Sequence, residues 1–183
     1  MSSLKLSCEN TQFLMIDIQE RLLPAIDHSE NVKANAFRLL EGARTLHIPV
    51  TYTEQYPKGL GPTDSLLLEK LEGIDSFQKT TFSCCDEEGF INVLKDKKRS
   101  NIVVWGIESH ICVLATIMDI LSHDFTVWLA ADASGSRNTR NHDLALQAMS
   151  QMGVIVVPTE TILYQLMKRA GTPEFKTLLP LFK

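Results

Sequence analysis

No stretch of this 183-residue chain approaches the ~18 consecutive apolar residues that a membrane-spanning helix needs. Met1 to Glu9 holds neither an apolar core of signal-peptide length nor the arginine-rich character of a transit peptide, so a cytoplasmic location and no membrane partner are expected. Basic residues are outnumbered: 18 Lys and Arg against 22 Asp and Glu leave a net charge of -4. The one compact basic run, Lys95-Asp96-Lys97-Lys98-Arg99, reads as the solvated end of a helix, so no nucleic-acid partner is expected. Cysteine is sparse as well. Cys8, Cys84, Cys85 and Cys112 contain no C-x-x-C pair, which excludes the usual zinc and disulfide spacings. Cys84 and Cys85 are adjacent and cannot bridge each other without strain, so reduced thiols are the simpler account. Glycine is missing from Asp17-Ile18-Gln19-Glu20-Arg21-Leu22-Leu23-Pro24, where a dinucleotide-binding turn would need it to admit a pyrophosphate. No internal repeat, low-complexity tract or linker interrupts the chain, and one domain over residues 1–183 is expected.

What is present is a strong alternation of elements. Segments 13–16, 101–105, 125–130 and 154–157 are nearly continuous apolar runs, with a fifth strand expected over 49–53 and a short sixth over 75–79. Continuous rather than alternating hydrophobicity means that both faces are covered, as in a parallel sheet under helices. Helical patterns fall between them at 32–46, 66–71, 87–94, 112–121, 141–152 and 161–167, while 55–62, with its prolines and glycines, reads as a surface loop. This predicts a doubly wound, three-layer α/β/α fold.

In such a sheet, ligands bind beyond the carboxyl ends of the strands. That rule collects Asp17 after the first strand, Lys79 at the short element, the Gly106–Cys112 segment before the most apolar helix, and Asp132 after the next strand. A cysteine in the first turn of a helix is expected to have a lowered pKa from the positive end of the dipole. Unpaired amides of that turn can face an oxyanion, a lysine can stabilise the thiolate, and a carboxylate can carry the proton. Each residue alone has a structural alternative: Cys112 as a small core side chain, Asp17 as a helix cap, Lys79 as an exposed strand-end charge.

The segments FLMIDIQERLLP, TEQYPKGLG, FQKTTFS, VWGIESHICVLAT and LAADASGSRN resemble, in order and spacing, the isochorismatase-like cysteine hydrolase superfamily, over nearly the whole chain. The resemblance implies a six-stranded parallel sheet in Rossmann-like order and Asp17, Lys79 and Cys112 as a catalytic triad. It also implies a cis peptide joining Ile107 to Glu108, which helps aim amides, including that of Cys112, into an oxyanion hole. Gln19 corresponds to a supporting position, against a plain surface role. His110 in the nucleophile turn is expected to line the site rather than act as a base.

Departures within the family narrow the expectation. Nicotinamidases carry an Asp-x-His and a further His that bind a metal; Thr51-Tyr52-Thr53-Glu54-Gln55-Tyr56-Pro57 has no histidine, so neither metal nor cofactor is expected. Isochorismatases that cleave a vinyl ether lack the nucleophilic cysteine, whereas Cys112 is kept. The resemblance therefore implies hydrolysis of a carbon–nitrogen bond in a small amide or carbamoyl substrate through a thioester, by a homo-oligomer (dimer or larger). The alternative is a non-catalytic interaction protein on the same scaffold. His28, His47, His123 and His142 are assigned no chemistry, Cys84 and Cys85 read as inert thiols rather than a redox pair, and Trp105 and Trp128 read as core residues.

Overall fold

The computed structural model describes residues 5–183, so the first four residues of the segment read above for a leader lie outside it. Six strands form one sheet: β1 (Thr11–Ile16), β2 (Val50–Gln55), β3 (Phe77–Lys79), β4 (Asn101–Gly106), β5 (Thr126–Ala130) and β6 (Ile155–Val157). All pairings are parallel and the spatial order is β3-β2-β1-β4-β5-β6. The order reverses between β1 and β4, and this switch point opens a crevice at their carboxyl ends.

Every residue of β1 and β4 is buried. Their side chains alternate between two cores, because successive residues of a strand point to opposite faces. Phe13, Met15, Val103 and Trp105 pack under α1 (Ser29–Leu46), and Leu14, Ile16, Ile102 and Val104 pack with the opposite helices. The short helices α2 (Pro57–Leu60) and α3 (Ser65–Leu68) follow β2. The second face is covered by α4 (Phe90–Asp96), α5 (Leu114–Ile120) and α6 (Thr139–Gln151), through Phe90, Leu94, Ile117, Ile120, Ala145 and Met149. The chain then returns to the first face as α7 (Thr159–Met167) and α8 (Pro173–Leu178), where Ile162, Leu163, Leu166 and Leu178 join the α1 core. These are the three layers expected.

Several boundaries shift, among them the short strand (77–79 for 75–79) and the helices expected over 66–71 and 87–94 (65–68 and 90–96); three shifts have clear physical reasons. Helix α1 starts at Ser29 rather than 32, because its first turn is largely solvated and shows no apolar period. Strand β2 runs to Gln55, and Pro57, whose φ is preset for a first helical position, opens α2 inside the segment read as loop. The helix expected over 112–121 is preceded by a wide π turn, Ser109–Val113, so that α5 begins only at Leu114. No helix among the described residues is long and apolar enough to cross a membrane.

Candidate active site

The crevice at the switch point receives Asp17 from the end of β1 and the π turn that follows β4. Asp17 has φ 55°, a left-handed backbone that takes the chain out of the sheet. Beside it, Gly106 has φ 142°, and a Cβ there would collide with the Ile16 carbonyl oxygen and lie 2.8 Å from its carbon. Only glycine lets β4 end this close to β1. The Ile107–Glu108 peptide is cis.

Asp17, Lys79 and Cys112 meet in this crevice. Lys79 Nζ lies 2.7 Å from Asp17 Oδ2, with both side chains wholly excluded from solvent. This is an ion pair lacking the angle of a regular hydrogen bond, so charge is what satisfies Oδ2. The other carboxylate oxygen accepts from the Thr53 hydroxyl at 2.6 Å. Around Nζ stand Gln55 Oε1 at 2.5 Å and the carbonyls of Thr81 at 3.2 Å and Phe82 at 3.4 Å. An ammonium has three protons and no lone pair, so these partners leave Lys79 fully engaged as a fixed cation. Burial works to lower its pKa, but the negative partners, Asp17 first, outweigh burial and hold it above the ordinary lysine value.

Cys112 is 7% exposed and close enough to Asp17 and Lys79 for both charges to act on its thiol. Its pKa is pushed up to about 12, by burial first and by the Asp17 charge second, with Lys79 pulling the other way. This corrects the expectation of a lowered pKa. Cys112 sits inside the π turn rather than opening an α-helix; Val113 N donates to Glu108 O at 3.3 Å, an i to i+5 bond. The helix beyond is only seven residues long, and its dipole cannot offset a buried thiol beside a carboxylate. Cys112 therefore rests as a neutral thiol beside a carboxylate, not as a free thiolate.

The other residues singled out from the sequence have defined places. Gln19 is fully buried: its Oε1 accepts from Gln55 N at 2.7 Å, and its Nε2 donates to Gln55 O at 2.9 Å and Gly61 O at 2.7 Å. Glu108 bonds Arg137, through an ion pair to Nε at 2.9 Å and the backbone N at 2.8 Å. His110 Nδ1 is 2.9 Å from Ser136 Oγ, and Ser109 Oγ is 2.9 Å from His142 Nδ1. Desolvation lowers the pKa of His142, which favours the neutral ring in that contact. Asp132 stays outside the cluster and accepts the amide and hydroxyl of Thr159 at the start of α7.

Thr53 and Gln55 were missed. Thr51, Thr53 and Gln55 recur at period two, which puts polar side chains on one face of β2, and the expected end of that strand at 53 hid the pattern. Cys84 is buried against Thr53, 4.0 Å away, and burial pushes its pKa up to about 12. Among the described residues, no three His, Cys, Asp or Glu side chains are grouped as metal ligands.

An all-parallel sheet in this order, with an acid, a cation and a thiol converging at its switch point, defines a class of doubly wound α/β proteins. Comparison with known proteins narrows it. The isochorismatase domain model matches residues 11–161. The chain is 37% identical over 174 residues to isochorismatase domain-containing protein 2 of Danio rerio, covering 95% of this chain and 87% of the relative. It is 38% identical over 178 residues to isochorismatase family protein 1A of Dictyostelium discoideum, covering 94% and 86%. Among solved structures, the MAR1 ribonuclease of Caenorhabditis elegans superposes with a TM-score of 0.91 at 35% identity, covering 97% of this chain and 91% of that one. YcaC of Pseudomonas aeruginosa, at 21% identity, shares the fold with a TM-score of 0.92 over 99% and 93% of the two chains. The chain belongs to the isochorismatase-like hydrolase family.

Proposed function

We propose that this protein is a cysteine-dependent hydrolase that cleaves the carbon–nitrogen bond of a small amide or carbamoyl compound through a thioester on Cys112. The observation that carries the reading is the buried Asp17–Lys79 pair set against a protonated thiol. A thiol held near pKa 12 attacks a carbonyl only if its proton leaves as the bond forms, and Asp17 is the acceptor within reach. The carbon–sulfur bond forms while the thiol proton passes to Asp17. The carbonyl oxygen takes the negative charge, facing the Cys112 amide and the field of Lys79. The carbon–nitrogen bond then breaks, and the leaving nitrogen collects the proton from Asp17. Water repeats the sequence on the thioester: Asp17 takes its proton, the acid departs, and the proton returns to sulfur. Lys79 keeps its three protons throughout, so its part is charge and position.

The test is intact-mass analysis after incubation with a library of small amides and carbamoyl compounds. A mass gain equal to the acyl group, mapped to Cys112 and absent from Cys112→Ala, is expected together with release of amine or ammonia. The name of the C. elegans relative puts RNA in the same screen. RNA cleavage that survives in Cys112→Ala, with no acyl adduct in the parent protein, overturns the reading. Assembly as a dimer or larger belongs to the proposal and is read by light scattering.

A further inference from the structure

Gln55 has no part in the proton sequence above, yet it connects three parts of the site. Strands β2 and β3 pair with Gln55 opposite Lys79, and neighbouring residues of parallel strands present their side chains on the same face. The adjacent Glu54 turns away, accepting from the Thr63 amide at 2.8 Å and its hydroxyl at 3.0 Å. Gln55 Oε1 therefore meets Lys79 Nζ at 2.5 Å, and its Nε2 donates to Thr80 O at 2.8 Å.

The backbone of Gln55 is held in an unusual way. The regular β1–β2 ladder ends at Ile16 opposite Thr53, because Asp17 turns out of the sheet. The Gln19 side chain then takes the place of the missing strand residue, accepting from Gln55 N and donating to Gln55 O. Its remaining amide proton goes to Gly61 O, so every donor of that buried carboxamide is used. A carboxylate at position 19 would have no proton for either carbonyl. Gln19 thus locks Gln55, and Gln55 touches the cation.

We infer that Gln55 is a positioning residue, whose side-chain carbonyl holds the Lys79 ammonium between the Asp17 carboxylate and the Cys112 thiol. The inference rests on the reading of Cys112 as nucleophile and deepens it. A neutral acceptor suits the task, because it fixes Nζ without competing with Asp17 as counter-ion. The charged or titratable groups acting on Lys79 are Asp17 at the end of β1, Cys84 in the turn after β3 and Cys112 in the π turn. On the segment after Lys79 itself, Glu87 is occupied by the amides of Thr80 at 2.6 Å and Thr81 at 3.1 Å.

The experiment measures the second-order rate of Cys112 alkylation by iodoacetamide in the full chain, by peptide mapping across alkaline pH. Gln55→Met keeps the approximate length and removes the acceptor. It is expected to move the rate profile about one unit to higher pH, or about tenfold slower at fixed pH. Gln55→Glu is expected to move it further, because the new anion claims Lys79 and opposes the thiolate. If Gln55 merely fills space, Gln55→Met fills it too and the profile stays in place. No movement in either variant, or movement to lower pH from water admitted beside the thiol, overturns the inference. Lys79→Met separates the two levels. If it displaces the profile upward while both Gln55 variants leave it in place, only the role of Gln55 is wrong. If Lys79→Met itself leaves the profile in place, the reading of the site falls, and the role of Gln55 with it.

Discussion

Asp17 and Lys79 come from the β1–β3 side of the crevice and are fixed by side chains: the Thr53 hydroxyl, the Gln55 carboxamide and each other. Cys112 comes from the β4–β5 side and is fixed chiefly through backbone. Ser109 N donates to Gly135 O at 2.8 Å, Gly135 N to Gly106 O at 3.3 Å, and Glu108 O accepts from Ile111 N at 3.0 Å. The side chains that help there, Glu108 with Arg137 and His110 with Ser136, lie nearer the surface. A buried charge cannot be moved or left unpaired cheaply, whereas a backbone-bonded turn survives the loss of one side chain. The difference predicts that the charged half of the site is brittle and the thiol half robust, Cys112 itself excepted.

The largest effect expected is from Asp17→Asn. It keeps the shape, strands the Lys79 cation in the interior and removes the carboxylate proposed to carry the proton. Loss of one partner from a buried pair costs about 3–5 kcal/mol, and loss of general acid–base catalysis costs about 10²–10⁴-fold in rate. Denaturant titration and turnover on any substrate found in the adduct screen read the two separately. On the thiol side, Ser109→Ala removes one hydrogen bond to His142 and should cost only about 1 kcal/mol. Equal losses from the two variants would break the comparison. Near-normal turnover by Asp17→Asn would remove Asp17 as proton carrier.

Gly106→Ala probes the backbone rather than the side chains of the thiol half. The added methyl meets the end of β1, at a φ of 142° that side chains rarely adopt. About 3 kcal/mol or more of destabilisation is expected, as for other strained backbone positions. The check is a shift in denaturant midpoint with an unchanged slope. A midpoint within error of the parent would mean that β1 and β4 separate easily at the crevice.

What could be read in advance follows this division. The strands were legible because both sheet faces are covered, which leaves runs such as Phe13-Leu14-Met15-Ile16 with no polar break. The sheet-edge rule then collected Asp17, Lys79 and Cys112, which are neighbours in the folded chain, together with Asp132, which binds Thr159 outside the cluster. The end of β2 was not legible, because Gln55 stays in the sheet by pairing with Lys79 of β3 and through the Gln19 side chain, both remote in sequence. The protonation state of Cys112 was misread because a dipole argument counts one helix and omits burial beside a carboxylate. Helix α8 escaped because its buried contact is Leu178, while most of its six residues stay partly or fully solvated.

Alkaline pH acts on both halves, because Cys84 follows β3 on the charged side and Cys112 lies in the π turn. The folded thiols of Cys84 and Cys112 are pushed up to about 12, chiefly by burial, from an ordinary value of 9.0. Between those values the folded chain binds more protons than the unfolded one, so stability falls as pH rises. Each thiol contributes a slope of at most about 1.4 kcal/mol per pH unit. Lys79, raised above 10.5, acts in the same direction: its stabilisation is complete below 10.5 and is lost as pH climbs through the folded value. Urea midpoints measured at rising pH should therefore begin to fall near 9.0 from the buried thiols, with Cys85 (raised to about 11) adding to them, and steepen above 10.5 from Lys79. A flat profile up to 10.5 would mean that water reaches both thiols.

The smallest effect expected is from Arg137→Ala, and it tests the robust half at its most exposed point. The Arg137 side chain is 63% exposed and its partner Glu108 only 8%. Screening by solvent limits such a pair to about 0.2–1 kcal/mol. Glu108 also keeps a partner after the substitution, because Arg137 N donates to its Oε2 at 2.8 Å through the backbone. The expected result is a midpoint shift near the lower end of that range, with the alkylation profile of Cys112 unmoved. Raising the salt should weaken the Arg137 pair in the parent protein and reproduce the shift, since exposed charges are screened over about 10 Å at 0.1 M ionic strength. The Asp17–Lys79 pair, with both side chains excluded from solvent, should not respond to the same salt. If Arg137→Ala instead slows Cys112 alkylation as much as Lys79→Met does, the turn that carries Cys112 depends on its surface ion pair. The thiol half is then as brittle as the charged one.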